Sequence, residues 1–385
     1  MAPTQAFLEN AVSPLFPIIH SEASNGWGGQ EHRVFAELKG FHALGYPVGV
    51  VAPKQSVLFS RCVEAGIPAF HASFQRDSLP QELFLLTRFL KKHKPAVVNT
   101  HSSRDGWCMG IAARLARVPL LIRSRHIDVE YKNPVVSRHA FTTLADHVIT
   151  TSDAITQNLQ RVLGVSPRRI STLATGVDLN RFQSHGEKAD LPRPISGPLI
   201  GMVSVLRSWK GHSVFFQAIQ RLKASGFHAN FIVVGGGAPL DYYTTTAREH
   251  GVEDNVFFSG HREDIPEIIR ALDLVVIPST KHEGIPQIGL QALACSTAVI
   301  GSRVGGIPEI IRENETGRTF APNCPVSLAE CIRAVFAERE KTAALSRRGE
   351  QLVREKYSLN AMTQTLRDLY LAKLGIGSPS HSPKL

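Results

Sequence analysis

Residues 283–295 of this chain read EGIPQIGLQALAC, and residues 297–309 read TAVIGSRVGGIPE. The apolar run LDLVVIP at 272–278 precedes them and predicts a buried parallel strand. Pro286 suits the first turn of a helix, where its missing N–H costs nothing. The second string repeats this plan, with an apolar strand, a Gly-Gly loop and a helix from about Pro308. Strands that alternate with helices in this way predict an α/β fold with a parallel, doubly wound sheet.

The loop after the first of these strands carries Glu283 and Gly284 and leads directly into a helix. Open α/β sheets bind ligands in the crevice at the carboxyl ends of their strands. The free N–H groups at a helix start favour an anion there. The pattern alone indicates a phosphate-type site, although ordinary strand–loop–helix turns would account for it as well.

The complete string resembles the carboxyl-terminal signature of glycosyltransferase family 4, whose members are retaining enzymes of the GT-B fold. That signature has an acid, seven residues, a second acid, a patch of small residues, a strand and Gly-Gly-x-Pro-Glu. Glu283 matches the first acid, which contacts the donor sugar in the family. Gln291 stands where the family's second acid binds the ribose hydroxyls, and an amide cannot supply a charge-assisted hydrogen bond. The resemblance implies two Rossmann-like domains that face each other across a cleft, with a final helix that crosses back to the first domain.

The composition is that of a globular protein with two domains. The chain has 385 residues, of which 43% are hydrophobic and 20% charged. No apolar run approaches the length of a transmembrane helix, and no basic residue precedes Arg33, so we expect neither a membrane span nor a signal peptide. The five cysteines form no C-x-x-C pair, which argues against a zinc site and a disulfide framework and fits a cytoplasmic protein.

The net charge of +10 favours an anionic partner. No aromatic–basic interleaving or nucleic-acid-binding module accompanies it, so we expect no nucleic acid. We favour an anionic donor together with a carbohydrate or lipid-linked acceptor, and peripheral contact with the anionic inner face of the cytoplasmic membrane. A generic basic surface would explain the same charge.

The amino-terminal part begins with a predicted strand at 14–20, a glycine loop at 21–29 and a helix from Gln30. Backbone N–H groups in such a loop form a phosphate cradle. The loop lacks G-x-G-x-x-G, so the dinucleotide fingerprint is absent. It resembles the family's first Gly-Gly loop, which lies beside the donor phosphates, and this places Gly28 and Gly29 there. A tight turn with positive φ would account for either glycine as well.

Three predicted strands end in His20, His101 and His126. Each could be a satisfied polar residue. The family has a histidine at the end of the third of these strands, facing the donor sugar, so the resemblance assigns that role to His126. Asp128 and Glu130 could imitate the metal-binding Asp-x-Asp of other glycosyltransferases, but GT-B enzymes generally need no metal, and we predict none.

The second domain opens with a strand at 199–206, followed by Arg207 and Lys210. Two cations three residues apart suit a diphosphate, although a solvated loop would also carry them. In the family these residues neutralise the leaving pyrophosphate, so with Glu283 and His126 they are the implied catalytic residues.

The run VFFSGHR at 256–262 resembles the family's base-binding loop, where the backbone reads the nucleobase. Side chains there do not identify the base, and a UDP- or GDP-linked sugar is expected. The resemblance places the donor nucleotide on Gly28, Gly29, Gly260, His261, Arg262, Gly284, Ile285, Pro286, Gln287, Ile288 and Gln291.

We expect the first domain at 1–185 with the crossing helix 359–375, the second at 196–356, a Pro/Gly-rich linker between them and a disordered tail at 376–385. The resemblance implies retaining transfer from a nucleotide diphosphate sugar to an acceptor hydroxyl, as in bacterial lipopolysaccharide, exopolysaccharide or lipid-linked glycan assembly. The alternatives are an epimerase or a phosphorylase of the same fold, or a non-catalytic nucleotide-sugar-binding protein, which Gln291 suggests.

Overall fold

The computed structural model describes residues 17–376, except 76, 78, 129, 132, 193, 238 and 239. Two parallel sheets, each surrounded by helices, dominate these residues. The expected disorder of the tail concerns residues that, beyond Ile376, lie outside the described part, as do 14–16 of the first predicted strand.

The first unit alternates strands and helices. Its elements are β1 (Ile18–Ser21), α1 (Gly29–Ala43), β2 (Val48–Ala52), α2 (Val57–Glu64), β3 (Ala69–His71), α3 (Leu79–His93), β4 (Val97–Thr100), α4 (Ser103–Ala116), β5 (Leu120–Arg125), α5 (Pro134–His139), β6 (His147–Thr150), α6 (Asp153–Leu163) and β7 (Ile170–Thr172). The sheet order is β3-β2-β1-β4-β5-β6-β7, with every pair parallel.

The second unit repeats this plan. Its elements are β8 (Leu199–Val203), α7 (His212–Ala224), β9 (Asn230–Val234), α8 (Leu240–Glu249), β10 (Val256–Gly260), α9 (Ile265–Ala271), β11 (Leu274–Ile277), α10 (Gln287–Ala294), β12 (Val299–Ser302), α11 (Ile307–Ile310), β13 (Arg318–Phe320), α12 (Pro325–Ala337) and α13 (Arg339–Lys356). Helix α14 (Leu359–Leu374) follows them in the chain. The sheet order is β10-β9-β8-β11-β12-β13, again parallel.

In each unit the chain first adds strands on one side of its first strand and then crosses over to add strands on the other side. The first strand therefore pairs with two neighbouring strands, one on each side. These are β2 and β4 beside β1, and β9 and β11 beside β8. Ligands of doubly wound sheets bind outside the carboxyl ends of the strands at such switch points. The predicted fold class, two doubly wound α/β units, is confirmed, and the topology defines where a site should lie.

Helix α14 completes the first unit, as predicted. Leu366, Tyr370 and Leu371 are fully buried, and the Tyr370 ring stacks on Phe41 of α1 with ring centroids 5.6 Å apart. The chain passes between the two units twice, near Val177 and near Tyr357. These two segments lie side by side and are joined by a hydrogen bond from the N–H of Val177 to the Tyr357 carbonyl at 2.8 Å. Within the described residues, no helix has the length and apolarity needed to span a membrane.

One local prediction was wrong. Pro286 does not lie in the first turn of α10 but is its N-cap, with φ −71° and ψ 125°. The helix starts one residue later, at Gln287. The extended ψ keeps the chain out of the helical conformation until Gln287. The N–H that proline lacks has no partner inside the helix at the N-cap position, so its absence has no cost there either.

Candidate active site

The switch point of the second sheet brings Lys210 and Glu283 together. Lys210 follows β8, Glu283 follows the neighbouring strand β11, and the Lys210 ammonium forms an ion pair with the Glu283 carboxylate. The hydroxyl of Ser279 donates to the same carboxylate oxygen at 2.7 Å. The Glu283 side chain is 9% exposed and that of Lys210 21% exposed. A half-enclosed cation and a fixed carboxylate thus occupy the point where the topology predicts a ligand.

Two glycines let the backbone pack this closely. Gly211 has φ +83°, and a Cβ there would lie 1.9 Å from the carbonyl oxygen of Pro278. Gly305 has φ +52°, and a Cβ there would lie 1.9 Å from the carbonyl oxygen of Glu283. Only glycine fits both the conformation and the space at these positions. Gly211 and Gly305 therefore fix the loops that carry Lys210 and Glu283.

Arg207 lies on the exposed side of the same loop. Its guanidinium is 5.2 Å from the centroid of the Trp209 ring, a cation–π arrangement. It keeps its planar fork of donors available to solvent, whereas Lys210 is paired. The structure therefore places the two predicted diphosphate cations in one loop but in different environments.

The loop of Glu283 touches the end of β5 in the first unit. A Cβ on Gly284 would lie 2.7 Å from the Thr151 hydroxyl and 2.9 Å from the carbonyl oxygen of His126. That carbonyl accepts a hydrogen bond from the Thr151 hydroxyl at 3.1 Å. The loop of Glu283 and the backbone of His126 therefore meet at one contact between the units.

Glu309 forms a second contact between the units that the sequence did not reveal. Its carboxylate accepts from the backbone N–H groups of Asp153 at 3.1 Å and Ala154 at 3.2 Å, at the start of α6. A negative charge is favourable at a helix amino terminus. Burial raises the pKa of Glu309. The last residue of the Gly-Gly-x-Pro-Glu signature thus joins the second unit to the first.

Three histidines form a buried row at the site. His20 Nδ1 lies 2.8 Å from His101 Nε2, and His101 Nδ1 lies 2.9 Å from His126 Nε2. Burial lowers the pKa of His20 to about 4 and that of His126 to about 3, and holds the pKa of His101 well below its usual value. All three imidazoles are therefore neutral at pH 7.

The same row contains a group of potential metal ligands. Ligand atoms of His20, Glu37 and His101 lie within 4.8 Å of one another. Arg33 forms an ion pair with Glu37, and the two imidazoles are hydrogen-bonded to each other. The described contacts of these residues therefore form a hydrogen-bonded network in which Arg33 supplies the positive charge. The other candidate, Asp128, accepts from the Asn158 amide at 2.5 Å.

The glycine loop of the first unit differs from one reading of the sequence. Gly28 is the N-cap of α1 with φ −125°, and neither Gly28 nor Gly29 is among the glycines with positive φ. A positive-φ turn therefore does not explain them. The N–H of Gly28 donates to the Glu31 carboxylate at 2.7 Å, and a Cβ on Gly29 would meet nothing within 4 Å. The open space beside Gly29 is compatible with a ligand at this helix start.

Glu22 and Asp105 lie close to this loop and were missed from the sequence. Glu22 is fully buried and accepts from the Ser24 N–H at 2.9 Å and the Gln30 amide at 2.5 Å. Burial, and secondarily the Asp105 carboxylate, raise the pKa of Glu22 to about 8. Asp105 accepts from the Ser21 hydroxyl at 2.8 Å. The position of Glu22 directly after β1 was the available signal.

The predicted base-binding loop has open space at Gly260 and an occupied side chain at Arg262. Gly260 has φ +68°, a Cβ there would meet no atom within 4 Å, and His261 is exposed. Arg262 donates two hydrogen bonds to Asp264, at 2.7 and 2.5 Å. This pair raises the pKa of Arg262 and lowers that of Asp264. The Gly260 carbonyl accepts from the Gly235 N–H at 2.9 Å, so the space beside the Gly260 Cα is what this loop leaves open to a nucleobase.

Helix α10 presents the remaining predicted donor contacts. Ile285 and Pro286 are buried before its first turn, and Ile288 packs half-buried against the core. Gln287 and Gln291, both half-buried, lie four residues apart and so share one face of the helix. Gln291 lies one turn beyond the helix start that follows Glu283 and Gly284.

Two family descriptions match the sequence. Glycosyltransferase Family 4 matches residues 27–181, and Glycosyl transferases group 1 matches residues 186–352. A D-inositol 3-phosphate glycosyltransferase of Saccharomonospora viridis is 25% identical over 285 residues, 70% of this chain and 66% of that protein. The chain thus spans just under two thirds of that relative.

A second relative comes from Escherichia coli. It is a UDP-Gal:alpha-D-GlcNAc-diphosphoundecaprenol alpha-1,3-galactosyltransferase, 26% identical over 310 residues, 76% of this chain and 79% of the relative. Among solved structures, an Anabaena protein in complex with UDP and glucose has a TM-score of 0.80, covers 92% of this chain and 99% of its own, and is 20% identical. At that identity the likeness shows the two-domain GT-B fold.

Proposed function

The chain belongs to glycosyltransferase family 4, and from this premise we propose that it moves a glycosyl group from a nucleotide diphosphate sugar to an acceptor hydroxyl with retention of configuration. The observation that carries the proposal is the Lys210–Glu283 ion pair at the switch point of the second sheet, in a loop that contacts His126. A cation for the leaving diphosphate and a carboxylate for the sugar hydroxyls stand side by side there.

In the proposed reaction the donor diphosphate competes with Glu283 for Lys210. Arg207 adds a forked donor, so both cations stabilise the charge that develops on the leaving group. Glu283, still held by Ser279, then accepts from sugar hydroxyls. The bond from the anomeric carbon to the diphosphate breaks, a bond to the acceptor oxygen forms on the same face, and the acceptor proton passes to the leaving diphosphate. No side chain acts as a nucleophile in this scheme.

A uridine nucleotide is the donor class we favour. The relative from Escherichia coli is named for UDP-Gal, and the Anabaena structure contains UDP and glucose. In this chain the space beside the Gly260 Cα is open, while Asp264 occupies the Arg262 side chain. The local environment therefore suits recognition by backbone groups, and a guanosine nucleotide is the second member of the panel below.

For the acceptor we propose a lipid-linked or polysaccharide substrate approached from the membrane surface. The relative from Escherichia coli is named for a diphosphoundecaprenol-linked acceptor. Helix α3 exposes Phe84 (67%) and Leu85 (61%), and Arg88, Lys91 and Lys92 are exposed farther along it. Helix α3 begins after the carboxyl end of β3, the outermost strand of the first sheet, and this apolar pair lies in its second turn. Apolar and basic side chains together suit an anionic interface.

Vesicle sedimentation tests this face. We expect the protein to sediment with vesicles of phosphatidylglycerol and phosphatidylcholine in equal parts, and to be released by salt. The Phe84→Ser/Leu85→Ser variant should sediment several-fold less. Val63→Ser, which changes a 57% exposed apolar residue on α2, is the control. Equal sedimentation of the double variant and the control would exclude α3 as the contact.

Ligand-dependent melting tests the transferase proposal itself. We expect one of UDP, GDP, ADP and CMP to raise the Tm of the wild type, because a ligand that binds only the folded protein stabilises it by mass action. Lys210→Ala should lose the shift, and Lys356→Ala, an exposed lysine on α13, should retain it. The matching nucleotide sugar should then release its diphosphate only with acceptor present, which separates transfer from epimerisation and phosphorolysis. No shift with any nucleotide would contradict the proposal.

A further inference from the structure

The histidine row ends at a carboxylate on one side and at the contact between the units on the other. His20, His101 and His126 come from the carboxyl ends of β1, β4 and β5, which are adjacent in the sheet. The Glu37 carboxylate of α1 lies 3.5 Å from His20 Nδ1. Resting on the proposed function, we propose that Glu37, acting through His20 and His101, holds His126 in the tautomer with its proton on Nδ1, so that His126 donates a hydrogen bond to an oxygen of the bound sugar.

The tautomers follow from counting protons. A neutral imidazole carries one N–H, and each of the two imidazole contacts needs one donor and one acceptor. If His101 carries its proton on Nδ1, it donates to His126 Nε2 and accepts from His20 Nδ1. The row then ends in an N–H at His126 Nδ1. If His101 carries its proton on Nε2, every ring is reversed, and His126 Nδ1 has a lone pair instead.

Glu37 distinguishes these two arrangements. In the first, the N–H on His20 Nδ1 points between His101 and the Glu37 carboxylate, which is favourable. In the second, the lone pair of His20 Nδ1 faces a carboxylate oxygen 3.5 Å away, which is repulsive. Both groups are at most 1% exposed, so water does not screen the difference. The carboxylate therefore selects the arrangement with His126 Nδ1–H.

The carboxylate is itself held in place as an acceptor. Arg33 pairs with it and also donates to the Leu173 carbonyl at 2.8 Å. The Asn99 amide donates to Glu37 Oε2 at 3.4 Å, and the Ser124 hydroxyl donates to the Asn99 carbonyl oxygen at 2.9 Å. Arg33 and Asn99 donate to the carboxylate, and Ser124 orients the Asn99 amide. These hydrogen bonds hold the carboxylate beside His20.

The far end of the row lacks a partner. His126 is 8% exposed, and its Nδ1 is buried with no hydrogen-bond partner among the residues that the structure describes. A buried donor without an acceptor is unfavourable, so a ligand oxygen placed there gains a hydrogen bond that the protein alone does not make. The proposal makes His126 the group that touches the sugar. The residues that position it are Glu37, His20 and His101.

Nitrogen-15 NMR of histidine-labelled protein tests the tautomer without requiring activity, because protonated and bare ring nitrogens have distinct shifts. The His126 signals are identified as those lost in His126→Asn. In the wild type we expect a protonated Nδ1 and a bare Nε2 on His126. A wild-type spectrum with the proton on Nε2 overturns the proposal, and it does so whatever reaction the protein catalyses.

Two variants then test the cause. In Glu37→Gln the amide oxygen stays with Arg33 and the NH₂ group faces His20, so the row should reverse and the proton on His126 should move to Nε2. Loss of one hydrogen bond to the sugar should lower kcat/KM about tenfold. Tyr370→Phe, which removes the hydroxyl 3.1 Å from the Asn99 amide in the same core, should leave the tautomer unchanged. An unreversed row in folded Glu37→Gln would refute control by Glu37, whereas a correct tautomer without transfer activity would instead count against the proposed function.

Discussion

Removing the Lys210 ammonium should destabilise the protein as well as inactivate it. In Lys210→Met the Glu283 carboxylate, 9% exposed, keeps only the Ser279 hydroxyl as a side-chain partner among its described contacts. Deleting one partner of a fully buried ion pair costs about 3–5 kcal/mol. Because the Lys210 side chain is 21% exposed and Ser279 remains, we expect a smaller loss, on the order of 2 kcal/mol.

A second variant separates the buried charge from the lost contact. Lys210→Met/Glu283→Gln has no uncompensated charge, so it should recover most of the stability while remaining inactive. For a unit of this size, 2 kcal/mol corresponds to a fall in Tm of roughly 4–8 °C. Scanning calorimetry of the wild type, both single variants and the double variant gives the coupling energy. If the effects of the two single substitutions simply add in the double variant, the stranded carboxylate is not the cause.

The remaining predictions concern three other carboxyl or amide groups. Glu309→Ala should lower the Tm by roughly 2–4 °C, about 1 kcal/mol, since the N–H groups of Asp153 and Ala154 at the start of α6 lose their acceptor. Glu315→Ala on the surface of the same unit should leave the Tm unchanged. Because the pKa of Glu22 in the folded protein is raised to about 8 from 4.5, this carboxyl group lowers the free energy of unfolding increasingly as pH rises between those values. In urea titrations the free energy of unfolding of Glu22→Gln should match that of the wild type near pH 4.5 and exceed it at pH 8. A difference that stays constant with pH would contradict this. Gln291→Glu should lower the KM for the donor about fivefold with kcat little changed, through a charge-assisted bond to ribose, and an unchanged KM would mean that Gln291 does not meet the ribose.

Helices that carry their own local signals were predictable from the sequence. The crossing helix expected at 359–375 coincides with α14 to within one residue. Strand ends were less predictable. The strand expected at 199–206 ends at Val203, since a strand extends only as far as its neighbours pair with it.

The residues of the candidate site also differ in whether the sequence could predict them. Glu283, Lys210 and His126 were predicted because each follows a strand in a recognisable motif. The histidine row was not predicted, because it depends on β1, β4 and β5 being neighbours, an order that local sequence does not encode. The role of Glu309 depends on how the two units dock, and that of Glu37 on which face α1 turns toward the sheet.

Helix α14 has a consequence for how the protein is made. It lies at the end of the described chain, yet its fully buried Leu366, Tyr370 and Leu371 belong to the core of the sheet built from the beginning. Domains generally fold as units while the ribosome synthesises them from the amino terminus. The first unit therefore emerges early but keeps an apolar face uncovered until the final helix leaves the ribosome. The second unit, whose strands and helices from β8 to α13 are contiguous in the chain, is the first that can close its core.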